Sequence, residues 1–289
     1  MMKRNSLSHV APATVVIRPT SGWTALNLHD LWLYRELVFF MIWRDVKVRY
    51  KQTLLGISWA VLEPFLTMVV FSIFFGGLAK IPSDDIPYPV FAYVGLLPWT
   101  LFAKALNTAS RSLVSHQNMI TKVYFPRLIM PLSSVLSGLV DFLISSLVLV
   151  GIMAYYGLTG QMEIIISPAL LTLPLFILLV LCTALGAALW LSALYVQYRD
   201  VGYIIPFLSE FLRILSPVVY STTLIPAKWQ VLYALNPMAG VLNGFRWAIL
   251  GTPTGPNIGM LISVIVAILL LISGLFYFRR MEKTFADTI

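Results

Sequence analysis

The chain has 289 residues, of which 59% are hydrophobic and 11% charged, and its mean hydropathy is +0.86. Soluble domains have about 45–50% apolar and about 25% charged residues, so this composition excludes a water-soluble globular protein and indicates an all-α integral membrane protein. The net charge of +8 fits basic residues gathered on the cytoplasmic side of a membrane, and no nucleic-acid partner is expected.

The N-terminal part of the chain divides into a tail and a helix. Residues 1–27 contain no continuous apolar run, which argues against a cleavable signal peptide and predicts a cytoplasmic tail. Residues 28–54 combine basic and aromatic side chains at helix-like spacing and run directly into an apolar stretch. This pattern predicts an amphipathic helix lying in the cytoplasmic interface; the alternative is an ordinary packed helix of a small soluble domain.

Residues 55–280 are predicted to form a six-helix transmembrane domain, because six apolar windows have about the 20 residues that a spanning helix needs. Residues 281–289 are then a cytoplasmic tail. The six windows are Ile57–Leu78, Val90–Arg111, Ile129–Tyr156, Pro168–Val196, Tyr203–Tyr220 and Gly259–Phe278.

The orientation follows from the basic residues. With both termini in the cytoplasm, fifteen lysines and arginines fall on the inner side and only Lys80, Lys228 and Arg246 on the outer side. Such an asymmetry predicts cytoplasmic termini and an outer acidic loop at Asp84 and Asp85.

Ionisable residues inside spans are costly and therefore informative. Glu63 lies near the start of the first span and Asp141 midway along the third. Glu210 and Arg213 are three apart on the fifth span, so they share a helix face and can pair. These groups are candidates for function, or they hold the helices of the bundle together.

The second span carries a polar stripe, because six of its polar residues recur at offsets of 0, 4, 7, 8, 11 and 15. They are Thr100, Lys104, Asn107, Thr108, Arg111 and Ser115. A polar face on a spanning helix must meet a water-filled cavity or other protein. The stripe therefore predicts a channel lining, unless the helix leaves the bilayer early and its last turns lie in the cytoplasm.

Catalytic signatures are missing from the sequence. No phosphate-binding loop, His-Glu-x-x-His zinc motif or nucleophile elbow is present, and the single cysteine, Cys182, cannot form a disulfide or a cysteine metal site. We expect no catalytic residue, no metal and no cofactor in this chain.

An ordered set of motifs resembles the membrane subunits of ATP-binding cassette exporters that move lipid-linked O-antigen, capsular polysaccharide or teichoic acid. The resemblance runs from about residue 30 to the C-terminus. Its motifs are 44–59 (RDVKVRYKQTLLGISW), 95–99 (GLLPW), 113–127 (LVSHQNMITKVYFPR), 131–134 (PLSS), 199–201 (RDV), 216–217 (SP) and 235–238 (LNPM) with Arg246.

This resemblance implies a homodimer of six-helix subunits in the bacterial plasma membrane. Two separate ATPase subunits would bind ATP and magnesium. The resemblance also implies that residues 222–255 form short re-entrant helices at the outer mouth. The ATPases would touch the interfacial helix at Arg44 and the loop Lys122–Arg127.

In that loop, Tyr124, Phe125 and Pro126 lie between Lys122 and Arg127, and exposed aromatics beside fixed charges suit a docking contact. A loop that merely rests at the membrane interface is the alternative.

A glycan crossing hydrocarbon needs hydrogen-bonding groups and aromatic faces, because each unpaired polar group costs several kcal/mol. Tyr93 and Trp99 share the second span with the polar stripe, and Phe71 and Phe75 lie four apart on the first span. We predict that these aromatics line the same channel.

Two other classes of protein stay open. An ion-coupled secondary transporter would use Asp141 or Glu210 as its ion site, although the inverted repeats common in such transporters are not visible. A membrane-embedded glycosyl- or acyltransferase would need clustered acid and base residues, whereas the carboxylates here are dispersed.

Overall fold

A computed structural model describes residues 28–51, 56, 58–164, 167–282 and 285. Within these ranges the chain is helical with connecting turns and contains no strand, so the all-α prediction is confirmed. The helices are α1 (Leu28–Leu33), α2 (Arg35–Tyr50), α3 (Ser58–Phe71), α4 (Tyr88–Ser115), α5 (Gln117–Ile120), α6 (Ile129–Leu158), α7 (Leu173–Gln197), α8 (Val201–Leu215), α9 (Ala227–Tyr233), α10 (Pro237–Leu250) and α11 (Ile258–Glu282). A π-helical segment, Ser72–Leu78, continues α3, and the 3-10 turns Pro168–Thr172 and Thr222–Leu224 precede α7 and α9.

Five helical segments in the described part of the chain are long and apolar enough to cross a membrane. Each spans at least the roughly 20 residues that about 30 Å of hydrocarbon requires. They are Ser58–Leu78, Tyr88–Ser115, Ile129–Leu158, Pro168–Gln197 and Ile258–Glu282. They coincide with the first four predicted spans and the sixth, because a continuous apolar run of this length is the strongest membrane signal in a sequence.

The predicted fifth span, 203–220, differs from the structure. Its helix, α8, has 15 residues and ends at Leu215. A helix of that length rises about 22 Å, less than the hydrocarbon thickness. The backbone becomes extended at Ser216, immediately before Pro217, as the steric demands of a following proline favour. Six full-length spans are therefore not found among the described residues.

Between α8 and α11 the chain forms two short helices, and local sequence signals define the second of them. The Asn236 side chain accepts a hydrogen bond from the Met238 amide at 3.0 Å, and Pro237 occupies the first helical turn of α10. Gly251, at φ 67°, ends the helix in the left-handed region that glycine tolerates best.

The core is built around α4, which packs on α6, α7 and α10. In the most apolar 18-residue window of α4, 78% of the residues are buried, against 11% for the span that begins with α3. The first span is thus a peripheral helix, whereas α4 is a central one. A polar residue on α4 must consequently face either protein or a cavity within the molecule.

The helices α7 and α11 approach each other through glycine. A Cβ atom at Gly274 would lie 2.4 Å from the carbonyl oxygen of Gly186, and one at Gly186 would lie 2.7 Å from the Leu271 amide nitrogen. Small residues allow such backbone contact in membrane helix pairs.

The N-terminal helix is interrupted and is apolar on two sides. Tyr34 separates α1 from α2, and residues 52–54 of the predicted helix lie outside the described residues. Met41 is buried, while Phe39, Phe40 and Trp43 are exposed. The simple division into one basic and one apolar face is therefore not confirmed, because large apolar side chains occur both on the buried side and among the exposed residues of α2.

Candidate functional site

A polar cavity of about 690 Å³ lies between α2, α4 and the first turns of α6. We call it the inner cavity, because it adjoins the predicted cytoplasmic loop 116–128. Its lining residues are Arg44, Asp45, Val48, Arg49, Asn107, Thr108, Arg111, Ser112, Ser115, His116, Ser134 and Ser137. Most of them carry hydrogen-bonding or charged groups, which is unusual for a surface formed by membrane helices.

Four residues of the predicted polar stripe on α4 line the inner cavity. Thr108, Arg111 and Ser115 are exposed, and Asn107 is half-buried. The Asn107 side-chain amide donates to the Ala103 carbonyl at 2.8 Å and to the Ser209 hydroxyl at 3.2 Å. The helical spacing in the sequence thus identified one continuous polar face, although its role as a channel lining stays a prediction.

The other two stripe residues lie nearer the middle of α4 and satisfy their polar groups within the protein. The Thr100 hydroxyl donates to the Leu97 carbonyl at 3.0 Å. Lys104 Nζ lies 2.9 Å from a Glu63 carboxylate oxygen and 3.9 Å from Asp141 Oδ2. Glu63 and Lys104 therefore join the first and second spans, the structural role that the sequence left open for Glu63.

Asp141 connects the third span to the N-terminal helix. Its carboxylate accepts a hydrogen bond from Arg49 Nη1 at 2.6 Å and a second one from the Tyr50 hydroxyl. Arg49 also donates to the Ser137 hydroxyl at 3.1 Å. Burial, reinforced by the Asp141 carboxylate, raises the pKa of Tyr50 to about 12, so the phenol stays protonated and remains a donor at neutral pH.

Arg44 is held by two neighbours at the rim of the inner cavity. It forms an ion pair with Asp45 at 2.8 Å, and its Nη2 lies 2.5 Å from His116 Nε2. His116 Nδ1 lies 2.8 Å from the Ser112 carbonyl, which can only accept. The proton therefore resides on Nδ1, and Nε2 accepts from the guanidinium, which requires a neutral imidazole.

The predicted pair on α8 is confirmed, since Arg213 Nη2 lies 2.5 Å from Glu210 Oε2. The Arg213 guanidinium also lies 5.8 Å from the ring centre of Phe71. This contact brings α8 beside the end of α3, where Phe71 and Phe75 stack edge to face at 5.4 Å. Both phenylalanines pack on the first turns of α4 and do not line the inner cavity.

Two aromatics predicted to line a channel are enclosed in the core. Tyr93 is fully buried and donates to the Ser145 carbonyl at 3.2 Å, and Trp99 is 3% exposed. Both lie on the faces of α4 that pack against other helices. Tyr93 and Trp99 are thus enclosed by neighbouring helices of the same subunit, and their role in lining a channel stays a prediction.

The predicted ATPase-contact loop contains one exposed and one buried aromatic. Tyr124 is 72% exposed, whereas Phe125 is 5% exposed and belongs to an apolar cluster with Met41, Leu128 and Phe278. The expectation of two exposed aromatics is therefore wrong for Phe125.

The charged ends of that loop differ as well. Lys122 is exposed and Pro126 half-buried. Arg127 donates to the Glu282 carbonyl, and its guanidinium lies 5.9 Å from the Phe285 ring. Arg127 thus ties the loop to the end of α11, and the ATPase contact stays a prediction for the exposed members.

A fully buried arginine of α10 is a structural centre that the sequence reasoning missed. Arg246 donates to the carbonyls of Pro217 at 2.6 Å, Val218 at 2.7 Å and Tyr220 at 3.2 Å. Its guanidinium lies 3.7 Å from the ring centre of Phe91 on α4. The signal in the sequence is an arginine inside an apolar run, which a count of basic residues treats as an ordinary outer surface charge.

The fold and the cavity define a multi-span membrane subunit, with a central helix whose polar face opens at one end of the bundle. The chain belongs to the ABC-2 type transporter family, because the model of that family matches residues 36–250.

Known relatives cover most of the chain. It is 28% identical over 267 residues to the O-antigen export system permease protein RfbA of Myxococcus xanthus, covering 91% of this chain and 98% of that protein. It is 27% identical over 255 residues to the protein of the same name from Klebsiella pneumoniae, covering 88% and 95%. The polysialic acid transport protein KpsM of Escherichia coli is 22% identical over 241 residues, covering 83% and 91%.

Proposed function

We propose that this chain is the channel-forming membrane subunit of an ATP-driven exporter of a lipid-linked polysaccharide. The observation that supports this most strongly is the full-length similarity to permeases named for O-antigen export, which covers 91% of the chain. The polar face of α4, open to the inner cavity, gives a hydroxyl-rich cargo a place to begin its path.

The proposed assembly is a homodimer with two ATPase subunits. Little of the span that begins with α3 is buried, and α8 exposes Tyr203, Phe207 and Phe211. These apolar surfaces need either lipid or a second protomer to cover them. ATP and magnesium would be bound by the partner ATPase, which would contact Tyr124 and Lys122 on the exposed side of their loop.

In this proposal the protein lies in the bacterial inner membrane with both termini in the cytoplasm. α8 and the turns that follow it, 216–220, form the fifth crossing, and α9 and α10 enter from the outer side without crossing. Buried backbone at membrane depth is acceptable there, because Arg246 saturates the carbonyls of residues 217, 218 and 220.

Reconstitution tests the proposed function. The chain and a candidate ATPase subunit are placed together in proteoliposomes, and ATP-dependent movement of a lipid-linked glycan into the lumen is measured. Controls omit the ATPase or replace ATP with a non-hydrolysable analogue. Movement driven by an ion gradient without the ATPase would instead identify a secondary transporter and contradict the proposal.

Thiol labelling tests the orientation. After replacement of Cys182, cysteines at Pro82 and Gln161 should react with an impermeant reagent added outside intact cells, with the outer envelope permeabilised. These exposed positions avoid the positive φ angles of Asp84 and Gly160. A cysteine at Lys122 should react only after the inner membrane is opened, and labelling of that position from outside would overturn the orientation.

A further inference from the structure

We propose that the inner cavity is a binding site for a phosphate ester, with Arg111 as its principal charged partner. The phosphate ester is the one that links the transported glycan to its lipid carrier. This assignment rests on the proposed function, which supplies a lipid-linked cargo as the source of that phosphate.

The charges of the inner cavity leave one cation without a carboxylate. Arg44 is paired with Asp45, and Arg49 with Asp141. Arg111 is exposed, and its Nη2 donates to the Gly202 carbonyl at 2.7 Å. Among the described residues no carboxylate lies within 4.0 Å of Arg111.

The neutral form of His116 leaves the charge of the inner cavity unchanged. His116 accepts from Arg44, so it contributes no charge to the cavity. The lining holds three arginines and Asp45, and Asp141, which is not itself a lining residue, neutralises Arg49, so these charges sum to one positive unit. A negatively charged phosphate ester complements that positive charge.

The groups around Arg111 suit phosphate oxygens. Ser115 lies one turn from Arg111 on the same face of α4, and Ser134 of α6 also lines the cavity, whereas the Asn107 amide and the Thr108 hydroxyl already donate within the protein. Hydroxyls donate to phosphate oxygens, and the planar guanidinium can hold two of them at once. The volume of about 690 Å³ leaves room for the first sugar beside the phosphate.

The depth of the site matches a lipid phosphate. α4 has 28 residues and therefore rises about 42 Å, against about 30 Å of hydrocarbon. If its first turn begins at the outer interface, about 8 residues at the other end extend into the headgroup layer. Arg111 lies in that last part of α4, at the level where a carrier lipid holds its phosphate.

Native mass spectrometry of the full-length chain in complex with its ATPase tests the site. The probes are a polyprenyl phosphate, the same polyprenol without phosphate, phosphatidylglycerol and inorganic phosphate, each titrated in detergent without nucleotide. We expect the polyprenyl phosphate to bind at least tenfold more tightly than the polyprenol. Arg111→Gln should weaken that binding about tenfold, and Arg111→Lys, which keeps the charge, should weaken it less.

Arg199→Gln is the matched control, because Arg199 is an exposed arginine near the same end of the bundle that does not line the cavity. It should bind the polyprenyl phosphate as the wild type does. Inorganic phosphate should compete in the wild type and not in Arg111→Gln, which would show that the phosphate and not the lipid tail is recognised.

Two results would overturn the assignment. Equal binding of polyprenol and polyprenyl phosphate, or unchanged binding by Arg111→Gln, would exclude a phosphate site at Arg111. Equal, Arg111-dependent binding of phosphatidylglycerol would reassign the cavity to ordinary membrane lipid. Because these titrations contain no ATP, a failed phosphate site is distinguishable from a failed exporter, which the reconstituted transport assay reports.

Discussion

Two arginines at opposite ends of α4 illustrate two ways in which a membrane protein accommodates a guanidinium. Arg246 reaches the N-terminal half of α4 from α10, is 1% exposed, donates to three backbone carbonyls and lies against Phe91. Arg111 lies near the C-terminal end of α4, is exposed, and donates to the Gly202 carbonyl. The first arginine organises the fold, whereas the second retains donors for a ligand.

The difference arises from what each neighbourhood can supply. Around Arg246 the chain leaves helix at Ser216, and the free carbonyls that follow need donors because no water reaches them. Around Arg111 several side chains that line the inner cavity are exposed, so a ligand can reach them. A buried guanidinium that donates to backbone carbonyls stabilises the fold, whereas an exposed guanidinium in a polar cavity can bind a ligand.

Removing the guanidinium of Arg246 should have the largest effect on the stability of the protein. Arg246→Met leaves the carbonyls of Pro217, Val218 and Tyr220 without their donor. Since each buried unsatisfied group costs about 1–3 kcal/mol, the expected loss is on the order of 5 kcal/mol. Unfolding of the detergent-solubilised protein by SDS titration measures this loss of unfolding free energy. Arg199→Met, at an exposed arginine, should change the unfolding free energy by less than about 0.5 kcal/mol.

The adjacent aromatics of the loop Lys122–Arg127 test the same distinction between a buried and an exposed side chain. Phe125→Ala removes a buried ring and should cost about 3–4 kcal/mol. Tyr124→Ala removes an exposed ring, so stability should stay unchanged while association with the ATPase weakens, as measured by co-purification yield. A stable Phe125→Ala protein that loses the ATPase would show that the loop rearranges and that Phe125 is itself the contact.

Weakening the polar contacts that link α2 to α6 should have an intermediate effect on stability. Asp141→Asn keeps the shape but removes the charge that Arg49 and Tyr50 hold. A hydrogen bond to a charged group contributes about 1.5–3 kcal/mol, and Arg49 is partly exposed, so we expect a loss of about 2 kcal/mol. Faster hydrogen exchange confined to α2 would accompany it. Ser146→Ala, a half-buried position further along α6, is the control and should leave the exchange of α2 unchanged.

Much of the fold could be predicted because hydrophobic length is a local property. Five windows agree with five long helices, since each apolar run ends close to where its helix ends. The window 203–220 failed because its composition stays apolar beyond Leu215, while the backbone turns at Ser216 and Pro217. Apolar composition reports burial in protein or lipid, and it does not report where a helix stops.

The site could be predicted only where its residues share one helix. The spacing of Asn107, Thr108 and Arg111 placed them on one face, and the structure brings that face to a cavity. The partner of Asp141 could not be predicted, because Arg49 lies 92 positions away and meets it only through packing of α2 on α6.

The smallest expected effect concerns the pair Glu63 and Lys104, whose side chains are 56% and 31% exposed at a separation of 2.9 Å. Exposed ion pairs contribute about 0.2–1 kcal/mol, so a double-mutant cycle of Glu63→Gln and Lys104→Met should give a coupling of about 0.5 kcal/mol. The cycle is read from the unfolding free energies of the four proteins in detergent. Measured in lipid nanodiscs, the same coupling would grow if the pair faces hydrocarbon, since a lower dielectric strengthens the attraction. A coupling above about 2 kcal/mol in detergent would place this pair with Arg246 among the structural charges and would shrink the ligand-accessible part of α4 to the residues around Arg111.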